Sequence, residues 1–184
     1  MMKQIIFSLG ILIAGAFELE AKNLYKLKVD LTDQEGQSTP LNTFEGYSTF
    51  VAMFYADCPM MCPTLIEDIK NFERQLSESQ RKSFRVLLIS FDPEVDRPEA
   101  LQKVVKRHRL DLKHWKLANA KTDKKTRELA TALGVKFRRQ ADKINYDHTA
   151  VINLIDPQGE MKGHWEGTDL SKTEKAKEAI KFLK

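Results

Sequence analysis

An α/β fold, with a central mixed sheet flanked by helices and a C-terminal β-hairpin and helix, is predicted by three features of the chain. Two near-continuous apolar runs, residues 48–55 and 85–91, read as strands buried on both faces, the pattern of a sheet covered by helices. Between and after them lie segments whose apolar residues recur at helical spacing. Near the C-terminus, Asp156-Pro157-Gln158-Gly159 separates two short strand-like runs, the mark of a hairpin turn.

Taken in order, residues 24–31 read as an extended piece leading into the turn Asp33-Gln34-Glu35-Gly36. The buried strand 48–55 follows. A helix is predicted over 64–79, with Leu65, Ile69, Phe72 and Leu76 on one face. Pro63 belongs at its start, because proline is tolerated in a first turn and breaks an interior. After the strand 85–91 come a helix over 98–109, a short strand over 115–118, and a helix over 123–133 that Gly134 ends. The hairpin pairs 149–155 with 160–165, and Ser171-Lys172-Thr173-Glu174 reads as a capping box opening the last helix. Strands alternating with helices, then a hairpin and a helix, describe a thioredoxin-like fold. With neither internal repeat nor low-complexity linker, residues 22–184 read as one domain.

Residues 1–21 read as a secretory signal peptide: Met1-Met2-Lys3, an apolar stretch over 5–17, and the small-residue stop Leu19-Glu20-Ala21, with cleavage after Ala21. The apolar stretch is shorter than the ~20 residues of a straight spanning helix; an uncleaved membrane anchor is the alternative. Neither cysteine lies near the cleavage point, which excludes lipidation of a mature N-terminal cysteine. An exported domain of this kind belongs in the bacterial periplasm or on the outer face of the inner membrane.

Lysine and arginine number 30 against 26 acidic residues, a formal charge of +4. Setting aside residues 1–21 removes Lys3, Glu18 and Glu20 and moves the charge by one unit to the basic side. The basic residues alternate with acids along the predicted helices, as on solvated faces. No basic run carries the aromatic interleaving of a nucleic-acid site, so that class is excluded. No Ser/His/Asp order, glycine-rich phosphate loop or two-carboxylate arrangement supports a hydrolase or nucleotide enzyme.

The chemistry lies in Cys58 and Cys62, the chain's 2 cysteines, in the stretch Cys58-Pro59-Met60-Met61-Cys62-Pro63 between a strand and a helix. Thiols there face the unpaired N–H groups and positive end of the helix dipole, which favour the thiolate. A purely structural disulfide is the bland alternative, but so short a loop removes only roughly 2 kcal/mol of unfolded-state entropy. Redox or metal chemistry is the expected use, and an oxidising compartment closes such a dithiol unless a thiol reductant or a metal holds it open. Met60 and Met61 offer soft thioethers; the simpler expectation is one packed inward and one on a contact surface. Asp92, Glu94 and Asp96 precede Pro98 and read as helix caps. His108, His114 and His164 read as surface or satisfied core groups.

Three motifs together resemble the SCO/SenC family of copper-binding, thioredoxin-like proteins that assist cytochrome oxidase assembly. Tyr55-Ala56-Asp57-Cys58-Pro59-Met60-Met61-Cys62-Pro63 is similar to its metal loop, and Ile89-Ser90-Phe91-Asp92-Pro93-Glu94-Val95-Asp96-Arg97-Pro98-Glu99 to its acidic loop after a strand. Asp147-His148-Thr149, with Leu154-Ile155-Asp156-Pro157-Gln158-Gly159, is similar to its distal histidine and hairpin. The resemblance implies Cys58, Cys62 and His148 as metal ligands for a copper ion. Two thiolates and an imidazole suit the cuprous ion. It also implies that the second ring nitrogen of His148 is held by Asp147, Asp92 or a backbone carbonyl. The chain departs from the family pattern at Phe54, Ala56, Met60 and Arg97, none of them a ligand.

Two functions of different class follow. One is an exported copper chaperone delivering copper to the copper-centre subunit of cytochrome c oxidase. The other is a thiol-disulfide oxidoreductase, with Cys58 and Cys62 catalytic, that reduces cysteines of a copper-site client. His148 discriminates them, because a reductase needs only the cysteines.

Overall fold

A computed structural model describes residues 23–142, 145–172 and 174–183. The expected signal segment, residues 1–21, lies outside the described residues. Among these no helix is long and apolar enough to cross a membrane.

A seven-stranded mixed sheet forms the centre. Its strands in chain order are β1 (Asp30–Asp33), β2 (Ser38–Pro40), β3 (Ser48–Phe54), β4 (Phe84–Ser90), β5 (Trp115–Asn119), β8 (Val151–Ile155) and β9 (Met161–Glu166), arranged spatially as β2-β1-β5-β4-β3-β8-β9. Two further strands, β6 (Phe137–Arg139) and β7 (Tyr146–His148), pair only with each other. The helices are α1 (Met61–Glu73), α2 (Glu78–Lys82), α3 (Pro98–His108), α4 (Asp123–Ala132) and α5 (Glu174–Lys181).

β3 runs parallel to β4, and β4 to β5, while β3 meets β8 antiparallel. All seven residues of β3 and all five of β8 are buried, which explains why their sequences are apolar runs rather than alternating ones. β9, at the sheet's edge, does alternate. Leu65, Ile69 and Phe72 of α1 pack on the sheet, where the Phe72 ring lies 4.7 Å from Phe50 and Phe50 in turn 4.9 Å from Phe84.

Several boundaries differ from expectation. Residues 24–31 are not one extended piece: Leu24–Lys26 is a 3-10 turn capped by the Asn23 side chain, and β1 begins only at Asp30. α1 starts at Met61, so Pro63 is inside its first turn, and it ends at Glu73. Ser77, expected inside that helix, caps α2 through a reciprocal box with Gln80. The expected capping box at Ser171 does not form. Ser171 lies in a 3-10 turn and its hydroxyl donates to Asp68 at 2.5 Å; Thr173 lies outside the described residues. Gly134 does end α4, at φ +68, where a Cβ would meet the His164 ring at 2.9 Å.

The C-terminal segment is tied to α1 by one buried carboxylate. Asp68 accepts the backbone N–H of Leu170 (2.7 Å), the N–H of Ser171 (2.9 Å) and the Ser171 hydroxyl. Asp68→Ala leaves three donors without an acceptor and should destabilise the protein by about 3 kcal/mol, read as a lower urea midpoint with an unchanged slope.

Candidate metal centre

β3 ends at Phe54, at the carboxyl end of an interior strand of the sheet, and the next residues turn sharply. The Cys58 N–H donates to the Tyr55 carbonyl at 3.3 Å, closing a turn with Ala56 and Asp57 at its centre. Cys58 therefore precedes α1, and Cys62 sits in its first turn, where the Cys62 N–H donates to Cys58 Sγ at 3.3 Å. An unpaired helix-start donor thus finds a sulfur acceptor.

His148 reaches the same place from the other end of the chain. β6 and β7 align Phe137 with His148, and Lys136 and Thr149 lock the pair: Thr149 N–H donates to the Lys136 carbonyl, and Lys136 N–H to Thr149 Oγ1, both at 3.0 Å. The imidazole lies 5.0 Å from the Phe91 ring and meets Tyr55 edge-on at 6.0 Å. Its Nδ1 faces the Thr149 carbonyl at 3.3 Å. A proton held there leaves the Nε2 lone pair free to ligate. Neither carboxylate competes for that nitrogen: Asp147 is engaged by Arg138 and Gln140, and Asp92 by Arg139.

One ligand atom from each of Cys58, Cys62 and His148 lies within 4.8 Å of the others, and both thiols are free and buried. With metal–thiolate bonds of about 2.3 Å, trigonal ligands sit about 4.0 Å apart, so the set closes on one ion with shifts of about an ångström. Two sulfurs and a nitrogen fit a soft, low-coordinate ion better than a hard oxygen-seeking one. His108, His114 and His164 lie apart, beside Glu67, the Phe84 carbonyl and Asn153 respectively.

The two thiols are electrostatically unlike. Cys58 is held far below the ordinary thiol range, at about 3, first by the Cys62 thiol donating to it, then by His148 and the N–H groups of Cys62 and Met60; burial opposes them. Cys62 is pushed up, because its proton is committed to Cys58 and its surroundings are dry. The helix start contributes, as expected from sequence, but the neighbouring thiol is the larger cause. Burial, then the charge on Cys58, pushes Tyr55 up to about 12.

Met60 and Met61 correct another expectation: neither packs inward, and they are 76 % and 42 % exposed. Both line an open cavity of about 580 Å³ together with Cys58, Tyr146 and His148. The acidic residues do not cap α3 either. Arg97 occupies the N-cap position without a side-chain bond. Asp92 pairs with Arg139 at 2.7 Å, and buried Asp96 accepts the Ser90 hydroxyl (2.5 Å) and the Ala56 N–H (2.9 Å). Burial raises Asp96 to about 6. Arg107 of α3 donates to the Ala56 carbonyl at 3.2 Å. Nothing local in the sequence signals these long-range partners.

The sequence model of the SCO1/SenC family matches residues 18–184. A SCO2-like protein of Rickettsia typhi is 28 % identical over 174 residues, covering 88 % of this chain and 80 % of the relative. Among solved structures, copper-bound ScoI of Bradyrhizobium japonicum superposes with a TM-score of 0.69 at 24 % identity, covering 84 % of this chain and 97 % of that one. BsSco, described as having a disulfide switch and as a member of the Sco family of cytochrome c oxidase assembly proteins, gives 0.69 at 18 % identity, covering 86 % and 95 %. These likenesses agree with the thioredoxin-like layering found here.

In the reduced, metal-free protein, thiolate absorbance against pH should show one sulfur already ionised at pH 6 and the second silent through pH 10. His148→Ala removes one stabilising donor and should move the first titration upward. Two thiols titrating together near about 8.5 would contradict the asymmetry.

Proposed function

The chain belongs to the SCO1/SenC family, and from that membership and the soft three-ligand cluster we propose that it is an exported copper-binding chaperone using Cys58, Cys62 and His148. The observation that carries this reading is the convergence of two thiols and one imidazole, from distant parts of the chain, within 4.8 Å, with Cys58 and His148 at the wall of an open cavity. The cargo is a copper ion. The ligands would release it by exchange, a partner's soft donors replacing them one at a time; the open cavity gives such donors a line of approach. The client is the copper-centre subunit of cytochrome c oxidase, consistent with what the Sco relatives are described as assembling. Residues 1–21 would direct the domain, residues 22–184, to the periplasm or the outer face of the inner membrane, as a cleaved signal or as an anchor.

A second use of the same pair is supported by its asymmetry. A thiolate at Cys58 beside a protonated Cys62 is the arrangement that thiol-disulfide exchange employs, one sulfur attacking and the other resolving. On this reading the protein reduces cysteines of the client and depends on a thiol reductant to regenerate it. Metal-bound thiolates and a disulfide are then alternative states of one pair.

Titration of the reduced protein with cuprous ion against a competing chelator should give one copper bound. His148→Ala should weaken binding at least tenfold while circular dichroism stays unchanged. Absence of binding, or an affinity the substitution leaves intact, would refute the role of His148. A parallel assay of disulfide reduction on a client-derived peptide separates the two classes, since His148→Ala should spare reduction while Cys58→Ser abolishes it.

A further inference from the structure

Granting that Cys58 and Cys62 are the working pair, we propose that Asp96 and Arg107 are positioning residues that set its balance between dithiol and disulfide by gripping the backbone N–H and carbonyl of Ala56. The grip is two-sided. The Asp96 carboxylate accepts the Ala56 N–H at 2.9 Å, and the Arg107 guanidinium donates to the Ala56 carbonyl at 3.2 Å. Ala56 is the second residue of the turn that the Cys58 N–H closes onto Tyr55, so its placement decides where Cys58 stands. Both bonds involve an ionised or ionisable side chain, the stronger kind of hydrogen bond.

The anchors are themselves held. Asp96 is 2 % exposed; its second donor is the Ser90 hydroxyl, its backbone carbonyl accepts Asn119 Nδ2 at 2.8 Å, and its N–H donates to the Asp92 carbonyl at 2.8 Å. Arg107 sits on the last turn of α3, the helix that begins at Pro98, two residues after Asp96. Both arms of the grip therefore belong to one segment following β4. They support the thiol site from behind: their side chains hydrogen-bond Ala56 rather than a sulfur or His148, and Asp96 reaches Cys62 only through its charge. Without them the Tyr55–Cys58 turn hangs from a single 3.3 Å hydrogen bond, and Cys58 loses the register in which it accepts the Cys62 N–H.

Closing the pair joins Cys58 Sγ to Cys62 Sγ. In exchange with glutathione disulfide, two electrons pass to that reagent, its S–S bond breaks, and one glutathione thiolate and one glutathione thiol leave, the latter with the Cys62 proton. The grip acts on the dithiol side of this equilibrium, because it holds Cys58 as an acceptor for Cys62. Loosening it should favour the disulfide.

The test is equilibration of the full chain with glutathione redox buffer, with free thiols counted after acid quench. Arg107→Ala, a change at an exposed residue, should shift the equilibrium about tenfold toward the disulfide, about 30 mV for a two-electron couple. Arg107→Lys, which keeps a cationic donor, should recover most of the parent equilibrium. Asp96→Asn, which retains an acceptor oxygen without the charge, should shift it the same way by a smaller factor. A merely structural role would lower the melting temperatures of both redox forms equally and leave the equilibrium within twofold of the parent; that result, a shift toward the dithiol, or a lysine variant no better than alanine would overturn the proposal. Copper titration of the unsubstituted protein reports separately on the chaperone reading, so either can fail alone.

Discussion

β3 has backbone groups on both edges and side chains on both faces, and each must be dealt with by a different neighbour. β4 takes one edge in parallel register from Ser48 opposite Phe84 to Phe54 opposite Ser90, and β8 takes the other antiparallel. α1 covers one face through Leu65, Ile69 and Phe72. A parallel neighbour requires a crossover, and α1 is that crossover. The cysteine loop is thus the first segment of an obligatory connection, and its location at the carboxyl end of β3 follows from sheet topology rather than from any property of sulfur.

The same constraint organises the layer behind the thiols. β4 ends beside β3, so the residues after it, Phe91 to Arg97, pass directly beneath the loop. Phe91 supports the His148 ring, Asp92 holds Arg139, and Asp96 reaches Ala56. Tyr55, Phe91, Phe137 and Tyr146 form a continuous aromatic wall with centroid separations between 5.0 and 6.2 Å. The wall keeps water from one side of the site and leaves the cavity side open, where Met60 and Met61 protrude.

Most of the sheet was legible because burial on both faces writes itself as unbroken apolar runs. β3, β4 and the β8–β9 hairpin fall where the pattern puts them, within one or two residues. α1 was misread at both ends for separate reasons. Pro63 looked like a boundary although the third helical position tolerates it, and Leu76 kept the apolar rhythm going past Glu73 although Ser77 starts a new helix. β6 and β7 were missed because Phe137-Arg138-Arg139 is short and charged and gains its strand geometry only from its partner. Cys58, Cys62 and His148, which the fold brings within 4.8 Å of one another, were singled out by resemblance and soft-donor chemistry. Asp92 and Asp96 were misassigned as caps because sequence reasoning sees the nearby Pro98 and cannot see Arg139 or the Ala56 N–H. Partners separated by long stretches of chain leave no local periodicity to read.

His148 and the two cysteines come from opposite ends of the domain, which gives the site a place in time as well as in space. A chain emerging from the ribosome presents Cys58 and Cys62 long before β6, β7 and β8 exist to supply the imidazole. During that interval the thiols are ordinary, accessible sulfurs, without the aromatic wall, the Cys62–Cys58 hydrogen bond or the Ala56 contacts. The full constellation assembles only when β8 docks against β3, a contact between distant segments and therefore a late, slow one. Maturation of the centre is in this sense the last act of folding, and a nascent chain stalled short of it carries two cysteines open to the wrong disulfide.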